Sequence, residues 1–397
     1  MNPVIIIPAY SRAESLVRLL SALKRAIYPP SGVKLIISLD GGATQEVINV
    51  AREFSFASGT VQVITREKNL GLREHILWCG DQSLQYGSVI VLEDDLYVDP
   101  YFYIFAASSL RHYNSDPTVA GIALYSPEFN EFAGVPFRPA ISGLAVYLMQ
   151  IPCSWGQAWT AGQWAGFRGW YERANSEHVV ACSRLPVAVK RWPESSWKKY
   201  YAAYLVFENK NFIYPYISYS TNCSDAGGFH IKGGTDFLQV SMPTESRDWD
   251  ESVFLRFGGD LVKYDSFMEP LDPEELKFLG LSRGSVEFDF YGLKPLSVLQ
   301  EKEYAITSKR SSARKKSIPL SFRPVEKNLL HARPPEEDSV IALCCSGDIS
   351  TQPKIEKILR GLRIAEYFSG VKIVSGTLLI KIALGIVLKK IGRAKFW

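Results

Sequence analysis

The sequence has neither a strong excess of one charge nor a cysteine pattern typical of metal-binding proteins. Lys plus Arg number 45 and Asp plus Glu 41, so the net charge of +4 is too small to indicate a nucleic-acid partner. The six cysteines show no zinc-type spacing, which indicates thiols in a reducing compartment. No basic region precedes the first apolar run, so no signal peptide is expected. These absences predict a cytoplasmic protein.

Apolar and aromatic residues, by contrast, are abundant. The hydrophobic fraction of 47% and the aromatic fraction of 13% indicate a globular protein with a sizeable core. With 397 residues the chain is long enough for one large domain with appendages, or for two domains. A glycine-rich phosphate loop is missing after the first apolar run, which argues against a nucleotidyltransferase.

Apolar runs and helical patterns alternate through the first 125 residues. Continuous runs of branched apolar residues predict buried strands at residues 4–7, 34–39, 61–65, 88–92 and 119–123. Helical patterns lie between them, near residues 12–26, from Thr44 as an N-cap, and near residues 71–86 and 100–113. This alternation predicts an α/β fold with a mostly parallel, doubly wound sheet.

In residues 88–99, a predicted strand is followed directly by a run of acidic residues. Its apolar residues are followed directly by Glu93, Asp94 and Asp95. Three carboxylates cannot enter a core without a cation or hydrogen-bond donors, so we expect them at the carboxyl end of the strand, where open α/β sheets bind ligands. Their oxygens suit Mg²⁺ or Mn²⁺. A solvated acidic turn is the alternative interpretation.

The middle of the chain is first aromatic and then rich in glycine. Residues 126–143 have the composition of a loop. Tryptophans are frequent between Trp155 and Trp170, a pattern typical of a core and also of a platform for sugar rings. Residues 198–207 have a helical pattern, and residues 223–234 predict a mobile loop because four of them are glycine.

The last third of the chain has weaker periodicity. Residues 308–317 are basic and polar, which predicts a linker. Residues 371–397 combine a short apolar run with six basic residues and no acidic ones. This tail predicts either a basic amphipathic helix in a membrane interface or a helix docked on the protein's own core. The predicted domains are residues 1–240, an extension with the basic linker at 241–325, and a C-terminal region with the tail at 326–397.

Four motifs, taken in order, carry a resemblance to a known family. They are Pro8-Ala9-Tyr10-Ser11-Arg12, Asp40-Gly41-Gly42, Asn69-Leu70-Gly71-Leu72 and Glu93-Asp94-Asp95. Over roughly residues 1–235 the chain resembles glycosyltransferases of the GT-A fold, both the bacterial family 2 enzymes and the family 13 N-acetylglucosaminyltransferases. The resemblance implies a Rossmann-like, mostly parallel doubly wound sheet with a C-terminal extension.

The resemblance also implies roles for the matching positions. Contacts to a nucleotide-sugar are implied for Pro8, Tyr10, Arg12, Asp40, His75, Glu93, Asp94, Trp155, Gly156 and His230, with Glu93 and Asp94 at the donor sugar and ribose. Asp95 would hold Mn²⁺ or Mg²⁺, which offsets the charge of the departing nucleoside diphosphate. Residues 223–234 resemble the loop that closes over the donor. For His75, an ordinary position on a helix surface is the alternative.

One position departs from the family pattern. Family members carry an aspartate beside a tryptophan that deprotonates the acceptor hydroxyl, but here Trp197 is followed by Lys198 and Lys199. An inverting transfer needs a general base close to the attacking oxygen. Glu194 is the nearest carboxylate in sequence, and Asp225 in the glycine-rich loop is a second candidate. A surface position without a catalytic role is the alternative for Glu194.

These inferences predict an inverting, metal-dependent glycosyltransferase. It would move a sugar from a nucleotide-diphosphate sugar to a saccharide or lipid-linked saccharide acceptor in surface polysaccharide biosynthesis. The alternative is a catalytically impaired nucleotide-sugar-binding protein derived from such an enzyme. The expected location is cytoplasmic and peripheral, at the cytoplasmic face of the inner membrane, with the tail in contact with the membrane surface.

Overall fold

The apolar runs of the sequence form buried strands, and the chain divides into two units. The computed structural model describes residues 1–226, 238–243, 261–351 and 353–370. Unit 1 comprises Met1–Pro127 and Ile141–Met268, and unit 2 comprises Glu128–Ala140 and Glu269–Trp397. The sequence predicted boundaries at residues 240 and 325. Residues 128–140, expected as part of a loop in the first domain, contribute a short hairpin to unit 2.

Unit 1 is built on a nine-stranded sheet. In chain order, the strands up to the end of this unit are β1 (Val4–Ala9), β2 (Val33–Leu39), β3 (Gly59–Thr65), β4 (Ser88–Val91), β5 (Leu96–Val98), β6 (Val119–Ala123), β7 (Phe129–Asn130) and β8 (Val135–Pro136) of the unit 2 hairpin, β9 (Val146–Met149), β10 (Gln157–Thr160), β11 (Asn211–Pro215), β12 (Ser220–Asn222) and β13 (Lys263–Tyr264). The sheet order is β13-β9-β11-β6-β10-β4-β1-β2-β3, and β5 pairs with β12 separately.

Most neighbouring strands of this sheet are parallel, as the sequence predicts. The pairs β1–β2, β2–β3, β1–β4, β6–β11 and β9–β13 are parallel, whereas β10 is antiparallel to both β4 and β6, and β9 to β11. The helices of unit 1 are α1 (Ala13–Arg25), α2 (Gln45–Glu53), α3 (Gly71–Tyr86), α4 (Phe102–Tyr113), α5 (Ala161–Tyr171), α6 (Ser176–Ala181), α7 (Val187–Lys190) and α8 (Trp197–Phe207). The predicted cap is confirmed, because the Thr44 side chain accepts a hydrogen bond from the Val47 amide.

Burial on both faces explains why the central strands are continuously apolar. Ile5, Ile6 and Ile7 of β1 are each fully buried. Burying one such side chain stabilises the fold by about 1.5–3 kcal/mol relative to exposure. The carboxylates that follow these strands therefore stand at the edge of a rigid platform.

Most of the predicted tryptophan cluster is core. Trp159 and Trp164 are fully buried and lie 4.7 Å apart between ring centroids. Trp197 and Tyr201 of α8 pack against Trp159 at 6.0 Å. These rings fix α5 and α8 against the sheet, which leaves Trp155, outside this cluster, as the candidate for ligand contact.

Unit 2 has a smaller sheet of its own. Its further elements are β14 (Val286–Asp289), α9 (Leu296–Leu299), β15 (Tyr304–Thr307), β16 (Arg310–Ser311), β17 (Arg314–Ile318), β18 (Ile341–Cys345), β19 (Ile349–Ser350) and α10 (Lys354–Ser369), with 3₁₀ helices at Glu274–Leu279, Val325–His331 and Ser346–Asp348. The four-stranded sheet has the order β14-β15-β18-β17, and β16 pairs with β19.

The basic stretch expected as a linker forms strands instead. Residues 310–311 are β16, and residues 314–318 are β17, which pairs with β18 at the sheet edge. Ser317 and Ile318 are buried, whereas Lys315 is exposed. Edge strands commonly carry lysine, so composition alone did not distinguish this edge strand from a linker.

The predicted membrane-associating tail, residues 371–397, lies outside the described residues. Within the described part of the chain, no helix is long and apolar enough to cross a membrane.

Candidate functional site

The carboxyl ends of β1, β2 and β4 meet at one edge of the unit 1 sheet. β1 lies between the other two strands and is parallel to both. Asp40 directly follows β2, and the carboxylates Glu93, Asp94 and Asp95 follow β4. Asp94 is 5% exposed and Asp95 8% exposed, so these two are not part of a solvated acidic turn. The predicted edge position of the carboxylates is confirmed.

Arg12 is the cation that meets two of these carboxylates. Its Nη1 lies 2.8 Å from Asp95 Oδ2, and its Nη2 donates to Asp94 Oδ1. Burial opposes the charge on Arg12, but Asp94 and Asp95 outweigh it and raise the Arg12 pKa. Nearby, Pro8 is buried in β1 and Tyr10, just after it, is 45% exposed. Arg12 therefore stays charged and fixed across the carboxylate pair.

Burial and mutual repulsion raise the pKa values of Glu93 and Asp94. Burial and then the charge of Asp95 raise the pKa of the partly buried Glu93 to about 8, with Arg12 offsetting only part of this effect. Burial likewise raises the pKa of Asp94 to about 6, against the opposing charge of Arg12. Glu93 consequently carries a proton for much of the time at neutral pH and can donate a hydrogen bond.

Asp40 connects the end of β2 to the start of α3. Its Oδ1 accepts from the amides of Gly41 at 2.9 Å and Leu70 at 2.8 Å, and its Oδ2 accepts from the Gly71 amide at 3.0 Å. His75 Nδ1 lies 4.0 Å from Oδ2. The aspartate thus organises the two motifs Asp40-Gly41-Gly42 and Asn69-Leu70-Gly71-Leu72 into one loop cluster. Contact with a nucleotide base stays a prediction.

His75 is a buried residue, so its alternative position on a helix surface is wrong. It is 5% exposed, and its Nε2 lies 2.8 Å from Ser38 Oγ. Burial lowers the His75 pKa to about 4, although the charge of Asp40 opposes this. The imidazole is therefore neutral at physiological pH.

This pKa predicts a pH dependence of stability. Because the unfolded histidine has a pKa of about 6.5, the unfolded state binds more protons between pH 6.5 and pH 4. We expect the free energy of unfolding to fall by about 3 kcal/mol over this window through His75 alone. In urea titrations at pH 7 and pH 4.5, His75→Gln should lose clearly less stability on acidification than the wild type. His178→Gln, at an exposed position on α6, serves as the control. Equal losses in wild type and His75→Gln would contradict the assignment.

Trp155 and Gly156 lie where β10 enters the sheet between β4 and β6. Gly156 has φ +89°, and its carbonyl accepts from the Leu124 amide at 2.9 Å. Trp155 contacts Tyr125 edge to face at 4.7 Å, and Lys198 Nζ lies 5.2 Å from the Trp155 ring centroid. The positive charge of Lys198 acts on Glu93 as well. Lys198, which replaces an expected acidic residue, is thus part of this site.

Glu194, the first candidate base, is tied to its neighbours. Its Oε1 lies 2.6 Å from Lys199 Nζ, and its Oε2 accepts from the Tyr200 hydroxyl. These two hydrogen bonds lower the Glu194 pKa, the bond from Lys199 being the larger cause. The lowered pKa makes the carboxylate a weak base.

Asp225, the second candidate, is held against α1. Its carboxylate accepts from Ser15 Oγ at 2.6 Å and from Arg18 Nη1 at 3.1 Å. Burial raises the Asp225 pKa, but the hydrogen bonds from Arg18 and Ser15 have the larger combined effect, so the pKa is lowered overall. The following loop residues, 227–234, and with them His230, lie outside the described residues.

Two residues of this edge were missed from sequence. Arg66 directly follows β3, donates from Nη2 to Ser38 Oγ at 3.3 Å and lies over the Trp78 ring at 4.1 Å. Gln157 of β10 is fully buried, and neither of its side-chain polar atoms has a hydrogen-bond partner within the described residues. Two sequence features could have identified these residues. Arg66 is a basic residue directly after a predicted strand, and Gln157 is a polar residue within a tryptophan-rich segment.

Asp95 has the free oxygen that a divalent cation needs. Its Oδ1 is buried and accepts no hydrogen bond from any described residue. Within the same residues, no group of three or more His, Cys, Asp or Glu could hold a metal. Mg²⁺ and Mn²⁺ do not need such a group, because they commonly bind through one or two carboxylates together with substrate phosphates, and the Asp95 oxygen fits that mode of binding.

The family comparison covers β1 to β4 and the carboxylates Asp40 and Glu93 to Asp95, but not β10, Glu194 or Asp225. Residues 4–149 match the family model described as Glycosyl transferase family 2. No curated protein matches the chain significantly.

Several solved glycosyltransferase structures resemble parts of the chain. The mannosyltransferase PcManGT from Pyrobaculum calidifontis, in complex with GDP-Man and Mn²⁺, is 12% identical over 40% of this chain and 45% of that chain, with a TM-score of 0.30. S. aureus TarS 1–349 in complex with UDP-GlcNAc is 13% identical over 55% and 58%, with a TM-score of 0.35. GalNAc-T7 with UDP, GalNAc and Mn²⁺ is 11% identical over 54% and 42%, with a TM-score of 0.37. The aligned part thus spans 42% to 58% of the length of these proteins, and superposition is loose.

The strand order, the carboxylates at the common strand edge and the family match agree with one another. The chain therefore resembles the family 2 glycosyltransferases over residues 4–149, which form much of a mostly parallel α/β unit, as the sequence predicts.

Proposed function

We propose that the protein is a metal-dependent, inverting glycosyltransferase. It moves a sugar from a nucleotide-diphosphate sugar to a saccharide or lipid-linked saccharide acceptor in surface polysaccharide biosynthesis. The observation that carries the proposal is the position of Asp95 at the strand edge of the region that matches the family 2 model. Its Oδ2 is held by Arg12, and its Oδ1 is buried and accepts no hydrogen bond from a described residue.

The proposed reaction gives a role to several residues at the carboxyl ends of the strands. Asp95, with Asp94 beside it, would hold Mn²⁺ or Mg²⁺, and such an ion stabilises the charge of a departing diphosphate. Arg12 neutralises part of the carboxylate charge and would donate hydrogen bonds to phosphate oxygens of the nucleotide-sugar. Glu93, next to these aspartates, would contact the donor sugar. The exposed ring of Tyr10 is open to stacking on a base.

A second function is favoured by the state of the candidate bases. Glu194 and Asp225 are both engaged in hydrogen bonds that lower their pKa. Lys198 occupies the position where family members carry a carboxylate. The alternative is therefore a catalytically impaired nucleotide-sugar-binding protein.

One experiment tests the proposal and separates it from the alternative. A panel of UDP- and GDP-sugars is screened by thermal shift with Mn²⁺ and with EDTA, because a ligand of the native state raises its apparent Tm. We expect at least one donor to raise the Tm only with Mn²⁺ and to release nucleoside diphosphate over time. Binding without any release supports the impaired protein. A Tm unchanged by every donor contradicts both functions.

The location follows from the acceptor. We propose peripheral attachment to the cytoplasmic face of the inner membrane through residues 371–397, whose six basic residues each contribute roughly 1 kcal/mol near anionic lipid. Full-length protein should co-sediment with anionic liposomes at low salt, whereas a variant ending at residue 370 should stay in the supernatant. A docked helix predicts instead a destabilised truncated protein with unchanged liposome binding.

A further inference from the structure

A basic cavity lies in unit 2, on residues that the proposed transfer reaction does not use. It has a volume of about 260 Å³ and opens between the start of α9, the residues after β15 and the start of α10. Three of its lining residues are Lys294, Lys309 and Lys357, and Thr351 is a fourth. Pro295 and Leu296 form an apolar part of the wall.

Buried carboxylates of β14 hold two of these lysines in place. The side chain of Lys294 is 1% exposed, and its Nζ lies 2.5 Å from Glu287 Oε1. Lys309 Nζ lies 3.3 Å from the fully buried Asp289 Oδ2. Asp289 Oδ1 also accepts from the Lys294 amide at 2.9 Å. The two ammonium groups are therefore positioned before any ligand arrives, which lowers the entropy lost on binding.

Positive charge exceeds negative charge at the α10 side of the cavity. Lys357 and Arg360 are one turn apart on α10, and no carboxylate of the described residues is within ion-pairing distance of either. Burial and then the positive charge of Arg314 lower the Arg360 pKa. Arg360 does not line the cavity, and its Nη1 donates to the Ser308 carbonyl at 2.6 Å. Lys357 is therefore the lining lysine without a carboxylate partner among the described residues.

We propose that this cavity binds the phosphate group of a small phosphate ester, such as a sugar or polyol phosphate. Lysines act as point charges for phosphate oxygens, whereas planar carboxylates favour the bidentate fork of arginine. The Thr351 hydroxyl is a further donor, and Pro295 and Leu296 offer a surface to the carbon skeleton. The volume suits a ligand smaller than a typical drug-sized molecule. The site is independent of the nucleotide-sugar site proposed in unit 1.

The test is calorimetric titration of the full-length protein in EDTA with glycerol 3-phosphate, glucose 1-phosphate and glucose 6-phosphate. We expect at least one ester to bind, and glycerol and glucose not to bind. Lys357→Gln should weaken that binding by at least about tenfold, because it removes one charge-assisted hydrogen bond. The matched control is Lys277→Gln, which removes one positive charge from a 66% exposed side chain outside the cavity. Thr351→Val tests the hydroxyl without changing charge.

Several outcomes would overturn the proposal. One is that none of the three esters binds, and another is that Lys357→Gln binds as tightly as Lys277→Gln. Competition of the ester by UDP, with equal affinity in both lysine variants, would place binding in unit 1 instead. Equally tight binding of inorganic phosphate, or binding only to phosphatidylglycerol vesicles, would exclude a small phosphate ester as the ligand.

Discussion

Asp95→Asn is expected to weaken Mn²⁺-dependent binding of a nucleoside diphosphate at least about 10- to 100-fold, the range known for changes in the surroundings of metal ligands. The substitution keeps the shape of the side chain and a carbonyl oxygen for Arg12, but it removes the negative charge from the buried Oδ1 position. Binding is measured by calorimetry with Mn²⁺ and with EDTA. In EDTA, wild type and variant should bind equally weakly.

A second aspartate gives the matched control for this experiment. Asp116 precedes β6 and so lies at the opposite edge of the sheet, where it accepts from the Thr118 amide and hydroxyl. Asp116→Asn removes the same charge and should leave Mn²⁺-dependent binding at the wild-type level. If Asp95→Asn binds as tightly as Asp116→Asn in Mn²⁺, Asp95 is not the metal ligand.

Gly80→Ala is expected to destabilise unit 1 by about 1–3 kcal/mol or more, although alanine favours helices. A Cβ at Gly80 of α3 would lie 2.1 Å from Trp164 Cζ2. Trp164 cannot move aside easily, since it is fully buried, packs 4.7 Å from Trp159 and donates from Nε1 to Asp81 at 2.7 Å. Urea unfolding followed by tryptophan fluorescence measures the loss.

Gly169→Ala is the control, with an effect of opposite sign. Gly169 is an exposed residue of α5, and a Cβ there would meet no atom of the described residues within 4 Å. Alanine at that position should stabilise the protein by up to about 1 kcal/mol through helix propensity. Equal stabilities of the two variants would mean that α3 and α5 do not pack through Gly80 and Trp164.

Much of unit 1 could be predicted from local sequence. Continuous apolar runs gave the parallel strands, because a strand buried on both faces has no polar side. Asp40 and the carboxylates from Glu93 to Asp95 marked the edge of the sheet at which we propose that the ligand binds. Burying a charged group is unfavourable, so acidic residues lie where a buried strand ends. The antiparallel strand β10 was not predicted, because Gln157 and the glycine before it interrupt the apolar pattern and its neighbours β4 and β6 are distant in sequence.

The sequence by itself determined that the apolar runs of β1, β2 and β4 are buried strands and that carboxylates follow β2 and β4. These properties depend on neighbouring residues and on the cost of burying charge. Only the tertiary structure decided which charges meet. Arg12 and Asp95 are 83 residues apart in the chain, and Arg18 and Asp225 are 207 apart. Pairing over such separations depends on how the strands and helices pack. The folded chain was therefore needed to show that Asp225 is already hydrogen-bonded and that one oxygen of Asp95 has no partner in the part of the chain that the structure describes.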